Sequence, residues 1–470
     1  MEMGSETKHV MLVCYAAQGH INPVLQFAGR LASRGISITV ATAAIGRQRI
    51  LKDGDKATAV EADGNIKFEF FSDGSNPLMP IKDLDDCLGR LEREGPESLA
   101  GLVEDLRVQG RKVTYMVTTP FTPWVIDLAK GLGVPCSLLW IQCCAVYGYY
   151  YRVLHRNRAE MEVPLTLPGL PHLKPEDFPT LASPSSTYNR FPLLLTQLYE
   201  KLGDVKMVLG NSFNELEPEE IWFAEGLHLM KLVGPLIPQA LLGCPTAPRL
   251  RKDMWVAPSN CLSWLDSKPE GSVVYVSLGS VSVLPPKQTE EMAWGLKISR
   301  RAFIWVVKPL ENSSETGLPE GFLEGVEGQG IVVPWCPQVE VLSHPSLACF
   351  LTHCGWNSTL ETVAAGVPVI AFPQWTDQPT NAMFLVDVLR VGVRLKVDLV
   401  TRDEVARCIA EVTDGEKATE MKKAAARCKE MARASVAKCG SSERNMQAFV
   451  DDIMDNGPIH EPKPGNGVLC

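Results

Sequence analysis

Short apolar runs rich in Val, Ile and Leu alternate along this chain with longer segments whose apolar residues recur at helical spacing. In the first half, Val10–Ala16, Ile36–Thr42, Ile66–Ser72, Val113–Thr118, Cys136–Ile141 and Val205–Asn211 read as strands. A second series follows at Val273–Leu278, Ala302–Val307, Ile331–Val333, Ala348–Thr352 and Val367–Phe372. Continuous apolar runs of this kind suit strands of a parallel sheet buried on both faces by helices. Between the first two strands, Pro23–Arg34 sets Val24, Leu25, Phe27, Ala28, Leu31 and Ala32 on one helical stripe. Asn22 is the expected N-cap, Pro23 the first helical residue and Gly35 the stop. Lys287–Ser299, Gln378–Leu389, Lys417–Lys438 and Ser441–Met454 read as further helices.

At 470 residues the chain exceeds one ordinary core. The two series are separated by Gly234–Pro258, which holds Pro235, Pro238, Gly243, Pro245, Pro248 and Pro258 and reads as a linker. The expected fold is α/β: two Rossmann-like domains facing each other across a cleft. The boundaries are 1–237 for the first domain, 238–257 for the linker and 258–440 for the second, with 441–470 packing back on the first.

A formal net charge of −9 without a basic stripe argues against a nucleic-acid partner and for small molecules. The 14 cysteines include no Cys-x-x-Cys pair, and most lie inside apolar runs, where a thiol behaves as a small hydrophobe. That usage fits a reducing compartment. The first nine residues are polar, unlike a signal peptide, and no apolar run approaches the ~20 residues that span a bilayer. The expected location is cytoplasmic, without membrane insertion.

Chemistry concentrates between Trp335 and Gln378. Thr352-His353-Cys354-Gly355-Trp356-Asn357-Ser358-Thr359 follows a strand and opens a helix, a turn whose backbone N–H groups and helix dipole suit an anion. Asn357 and Ser358 are candidates to cap that helix and to donate to phosphate oxygens. Glu361, one turn in, can accept from ribose hydroxyls, and Trp335 offers a flat face to a base. Alone, each has an ordinary structural explanation: most such turns are only turns, and most such tryptophans are packing.

Together they resemble the signature box of plant secondary-product glycosyltransferases, family 1 of the UDP-dependent enzymes. The 44 residues from Trp335 to Gln378 match its full length without a gap, through WCPQ, HCGWNS, Glu361 and the closing Asp377-Gln378. Gln18-Gly19-His20-Ile21-Asn22-Pro23 resembles the family's opening motif, and Phe372–Val388 is most similar to the subgroup that makes glucose esters and phenolic glucosides. The resemblance implies a GT-B type fold and an inverting transfer from UDP-glucose to a small acceptor: an aromatic acid, phenol, flavonoid or related metabolite. It places Trp335 on the uracil, beside Cys336, and Gln338 with Glu361 on the ribose. It puts His353, Asn357, Ser358 and Ser280 on the diphosphate, with Gly355 also in the donor site, and Trp356, Asp377 and Gln378 on the sugar. A closing Gln goes with glucose in this family.

His20 follows the first strand on a loop expected to face the cleft, and a neutral imidazole suits removal of the acceptor's proton. Family members orient this His with an Asp; here the matching position is Thr119. Thr can accept the imidazole N–H but cannot stabilise an imidazolium as a carboxylate does. An acceptor that needs little deprotonation tolerates that loss, and a carboxylic acid is already ionised at neutral pH. Phe121, Trp140, Gln142, Tyr147, Phe191 and Trp375 are the candidate acceptor lining. Neither a metal nor another cofactor is expected. Asp83-Leu84-Asp85 spells a metal-binding pattern but reads as an acidic helix start, and the eight histidines lack ligand spacing. A dinucleotide oxidoreductase would show Gly-x-Gly-x-x-Gly where this chain has Ala-Ala-Gln-Gly-His. A sugar-nucleotide epimerase or hydrolase, or a C-glucosyltransferase of the same family, shares the donor site and remains an alternative.

Overall fold

The computed structural model describes residues 8–50, 59–60, 66–75, 83–155, 170–171, 173–182, 188–218, 230–243, 261–279, 283–308, 317–395 and 400–455. Its strands are β1 (His9–Cys14), β2 (Ser37–Ala43), β3 (Ala59–Val60), β4 (Ile66–Phe71), β5 (Tyr115–Thr118), β6 (Cys136–Trp140), β7 (Val208–Gly210), β8 (Met230–Leu232), β9 (Val273–Ser277), β10 (Ala302–Val306), β11 (Gly330–Val333), β12 (Leu347–Thr352), β13 (Val369–Ala371) and β14 (Gly392–Arg394). They form two sheets. One has eight strands in the order β3-β4-β2-β1-β5-β6-β7-β8, and the other has six in the order β11-β10-β9-β12-β13-β14. The β3–β4 pair is antiparallel; β1 runs parallel to β2 and β5, and β9 to β10 and β12.

Both sheets are buried on both faces. Along β1, Met11 and Val13 enter one hydrophobic cluster, while Val10, Leu12 and Cys14 enter another. Along β9, Val274 and Val276 lie on one side and Val273 and Tyr275 on the other. This period-2 division explains why the strands read as unbroken apolar runs. The helix Ser441–Asp455 carries Met446, Phe449, Val450 and Ile453 on one stripe, and they share a cluster with Val10 and Leu12. Phe449 packs 5.7 Å from Phe27 and 5.6 Å from Tyr115, and the Tyr115 hydroxyl donates to Asp452 Oδ2 at 3.0 Å.

The first long helix departs from expectation. It runs Gln18–Ala32 with Ala17 as N-cap, so His20 sits in its first turn rather than on a loop, Asn22 caps nothing, and Pro23 is interior. A helical proline has no N–H for the carbonyl four residues back. Here that carbonyl belongs to Gly19, and it accepts from Asn357 Nδ2 at 2.9 Å instead. Gly35 lies just past the helix at φ 81°. The expected helix Gln378–Leu389 is α-helical only over Gln378–Met383 and continues as a π-turn through Phe384–Val388. Strands β3, β8 and β14 were not anticipated. Of the expected linker, 244–257 lies outside the described residues, as does the tail 456–470.

Candidate active site

In each sheet the chain reverses its direction of travel beside the strand that comes first in chain order, at β1/β5 and at β9/β12. Ligands of open α/β sheets bind beyond the strand ends at such a point. His20 follows β1 and Thr119 follows β5. Leu278-Gly279 follows β9 and His353-Cys354-Gly355 follows β12. Asn357 Nδ2 to Gly19 O joins the two crevices, and Trp356 Nε1 donates to Asn211 O, just past β7, at 2.7 Å.

The helix Trp356–Ala365 has Gly355 at its N-cap and no side-chain cap, so its first N–H groups are not used by side chains of its own cap. Asn357 and Ser358 therefore do not cap it. Both lie inside its first turn, where the Asn357 amide reaches Gly19 and Ser358 Oγ accepts from Gln338 Nε2 at 3.0 Å. The turn before the helix puts Cys354 at φ 62°, in the left-handed region that non-glycine residues avoid. Thr352 Oγ1 accepts the Cys354 N–H at 3.1 Å, and Asn381 Nδ2 donates to the Cys354 carbonyl at 2.9 Å.

His353 is seated by two glycines. A Cβ at Gly279 would lie 2.5 Å from its Nε2, and a Cβ at Gly355 would lie 2.5 Å from the same atom. Burial lowers its pKa to about 4, and the nearby Lys308 charge acts in the same direction. The ring is thus neutral at pH 7 and can donate a hydrogen bond from one nitrogen.

Beside it, Cys336 Sγ donates to Tyr275 Oη at 3.2 Å, and that hydroxyl donates to Gln338 Oε1 at 3.1 Å. Gln338 Nε2 in turn donates to Glu361 Oε2 at 2.7 Å. Gln338 and Glu361, expected to share one task, are therefore in direct contact, with Trp335 buried at the end of the segment after β11. Tyr275 escaped the sequence reading because it is one more apolar position in a strand.

The loop Trp375–Asp377 closes the site. Gln378 Oε1 accepts from the backbone N–H groups of Gln374 and Trp375 at 2.9 and 3.1 Å, fixing the amide orientation. Asp377 Oδ1 accepts from Thr376 Oγ1 at 2.8 Å, and Oδ2 accepts from Asn381 Nδ2 at 2.9 Å. Burial raises the Asp377 pKa, while hydrogen bonds from Asn381, Thr376 and Gln142 oppose the rise. The i, i+4 spacing of Asp377 and Asn381 on a helix start was the available signal for Asn381.

On the other side, the His20 ring lies 4.6 Å from Phe121 and 5.5 Å from Tyr15. Burial alone lowers its pKa to about 4, and its Nδ1 has no hydrogen-bond partner among the described residues. Thr119 is not that partner. Its hydroxyl is buried and donates to Val13 O at 3.4 Å, because a buried hydroxyl takes the nearest acceptor and here that is the carbonyl at the end of β1. Trp140, Tyr147 and Phe191, expected as acceptor lining, are instead core residues of the first domain. All three are fully buried, Trp140 donates its indole N–H to Cys143 O at 3.0 Å, and Phe191 stands 5.4 Å behind Phe121. Gln142 is hydrogen-bonded to Asp377, Phe121 packs on His20, and Trp375 packs 6.1 Å from Tyr188. Ser280 lies outside the described residues. Asp83 caps the helix Leu84–Val108, and Asp85 accepts from the backbone N–H groups of Asn189 and Arg190, so both carboxylates are committed locally. No group of three or more His, Cys, Asp or Glu among the described residues could hold a metal ion, and no described helix is long and apolar enough to cross a membrane.

Two Rossmann-like domains thus meet at their strand ends, with an uncapped helix N-terminus and a Gln–Glu pair beside it. The family model for "UDP-glucoronosyl and UDP-glucosyl transferase" matches residues 218–427. The chain is 43% identical to gallate 1-beta-glucosyltransferase 84A24 of Punica granatum, over 98% of this chain and 93% of that protein. It is 42% identical to cinnamate beta-D-glucosyltransferase of Fragaria ananassa, over 96% of this chain and 84% of that protein. The crystal structure of Os79 from O. sativa in complex with UDP superposes with a TM-score of 0.85 at 33% identity, covering 95% of this chain and all of that one. The chain belongs to the plant family 1 UDP-dependent glucosyltransferases.

Proposed function

We propose that this enzyme moves glucose from UDP-glucose, with inversion, onto the carboxylate or acidic phenol of a small aromatic acceptor. The observation that carries the reading is His20: an imidazole beside an aromatic ring, held neutral by burial, with no carboxylate among the described residues paired to its Nδ1. Such a base gains little from taking a proton, so it serves acceptors that hold their proton weakly or have none. The relatives whose names specify gallate and cinnamate, both aromatic acids, support this reading.

In the proposed mechanism the acceptor oxygen attacks the anomeric carbon as the bond to UDP breaks. Where the acceptor is a phenol its proton passes to His20; a carboxylate has none to give. The leaving diphosphate gains negative charge, which the N–H groups at the start of Trp356–Ala365 and the His353 imidazole take up without a cation. Trp335 stacks on the uracil, Gln338 and Glu361 hold the ribose, and Asp377 with the Gln378 amide bind adjacent sugar hydroxyls. Trp356 serves differently from expectation: its indole N–H is spent on Asn211, so it braces the domains.

The working boundaries remain 1–237 and 258–440, with the terminal helix serving the first domain. A cytoplasmic, reducing setting is supported by the twelve cysteines among the described residues, all free and all but Cys439 buried. Net charge again favours small molecules over nucleic acid as partners. An acceptor screen with UDP-glucose tests the whole reading. Alkali-labile glucose esters of benzoic and cinnamic acids are expected. UDP release without acceptor, interconversion of UDP-sugars, or a preference for simple alcohols would overturn it.

A further inference from the structure

One segment of the first domain crosses to the second and fastens beside the sugar-binding loop. Thr180 N donates to Thr376 O at 2.8 Å, and Thr376 N donates back to Thr180 Oγ1 at 2.7 Å. Thr376 stands at φ 60°, a conformation that a β-branched residue adopts only under outside constraint. Its own hydroxyl donates to Asp377 Oδ1. The same segment is bolted further along: Arg394 Nη1 donates to Asp177 Oδ1 at 2.6 Å, Arg394 Nη2 to Glu176 O at 2.8 Å, and Thr380 Oγ1 to Asp177 O at 2.6 Å. Asp177 is 5% exposed and Arg394 18% exposed, so this ion pair is shielded from solvent.

We propose that Lys174–Thr180 is a positioning element for the donor sugar, in which Thr180 holds Thr376 in its left-handed conformation and thereby aims the Asp377 carboxylate. It rests on the reading that Asp377 binds the sugar. Two features favour positioning over mere packing. The constrained residue is the one adjacent to Asp377, and both hydrogen-bonding groups of its backbone are met by one residue of the other domain. Donor-sugar recognition is then complete only when the two domains are joined, which ties the sugar site to a segment on the acceptor side.

The variants Thr180→Val, Thr180→Ser, Arg394→Met and Asp377→Asn test this, each assayed for UDP-glucose and UDP-galactose kinetics and for inhibition by UDP, which has no sugar. Thr180→Val keeps the shape but removes the acceptor for the Thr376 N–H. It should raise KM for UDP-glucose or lower kcat about three- to thirty-fold, a scale set by small misplacements of positioning groups, and narrow the preference for glucose over galactose. The UDP inhibition constant should not move. Thr180→Ser should restore the unmodified values, and Arg394→Met should shift the same parameters as Thr180→Val. If Asp377→Asn impairs sugar-donor kinetics while Thr180→Val and Arg394→Met behave as the parent, the positioning role is wrong. If Asp377→Asn itself changes nothing, the sugar-site reading fails first. A parallel loss of UDP affinity in Thr180→Val would show general disruption of the domain and also overturn the proposal.

Discussion

The Gly19 carbonyl, left without its helical partner by Pro23, accepts a hydrogen bond from Asn357 Nδ2 across the domain interface at 2.9 Å. Two residues of recognisable motifs are thus spent on each other, and a local defect in one helix becomes a link between the site's halves. Pro23→Ala supplies an N–H that competes for the Gly19 carbonyl. Either Pro23→Ala or Asn357→Ala should weaken apparent donor binding about two- to ten-fold, the span of one ordinary hydrogen bond. The double variant should cost no more than Asn357→Ala alone. Additive losses in a double-mutant cycle on the UDP-glucose KM would show that the two do not act through that bond.

The pair Gln338–Glu361 supports a second expectation. Glu361→Leu removes the acceptor of a 2.7 Å hydrogen bond and leaves Gln338 Nε2 with Ser358 Oγ as its acceptor. Loss of a bond to a charged group is worth about 1.5–3 kcal/mol, so UDP affinity measured by calorimetry should fall at least tenfold. Free uracil-less sugar phosphates, as weak inhibitors, should be unaffected.

Much of this architecture could be read from the chain, because strands buried on both faces need uninterrupted apolar runs. The edges were harder. β8 and β14 are three residues long, and their central or flanking positions include Lys231 and Arg394. The start of the first helix was misplaced because a proline ordinarily marks a boundary, and what satisfies Gly19 comes from a residue 338 positions away. That Gln338, Ser358 and Glu361 lie together was legible because fixed spacings set the geometry of short strand–turn–helix units. Which way the Thr119 hydroxyl turns, and which aromatic rings face the core, depends on packing that no local spacing encodes.

Gly279 and Gly355 leave the slot for His353, so either glycine replaced by alanine must push the imidazole aside. Gly279→Ala carries the further strain of a φ of 80°. Both variants should lose donor turnover, with Gly279→Ala also lowering the melting temperature more. Unchanged UDP affinity in Gly355→Ala would show that His353 is not on the diphosphate.

Acid should act on the two imidazoles in one direction. His20 and His353 each have an ordinary pKa of 6.5 depressed to about 4 by burial. Between those values the unfolded chain binds more protons than the native one, so stability falls as pH is lowered through the window and is fully present above 6.5. For phenol acceptors, the acid limb of kcat/KM should lie near pH 4 to 5 rather than at 6.5. A limb at 6.5 would place His20 in a wetter setting than this structure gives it.

The sharpest test concerns His20 and Thr119 together. If His20 deprotonates the acceptor, His20→Ala should cost roughly 10²–10⁴-fold in kcat with phenols, the usual range for removing a general base. Carboxylate acceptors bring no proton, so most of their turnover should survive. Thr119→Asp probes the same point from the other side. The native hydroxyl donates to Val13 O, whereas a carboxylate there meets only the lone pairs of that carbonyl and is driven toward the partnerless Nδ1 of His20. Pairing the two would raise the imidazole pKa and fix its tautomer. Phenols and alcohols should then be glucosylated faster. Carboxylates should gain nothing or lose, because a new negative charge sits beside their binding place. Relative kcat/KM for a benzoate and for a phenol of similar size, measured on all three proteins, decides it. A shift of both acceptors by the same factor would make His20 a positioning group and remove the physical basis for preferring acidic acceptors.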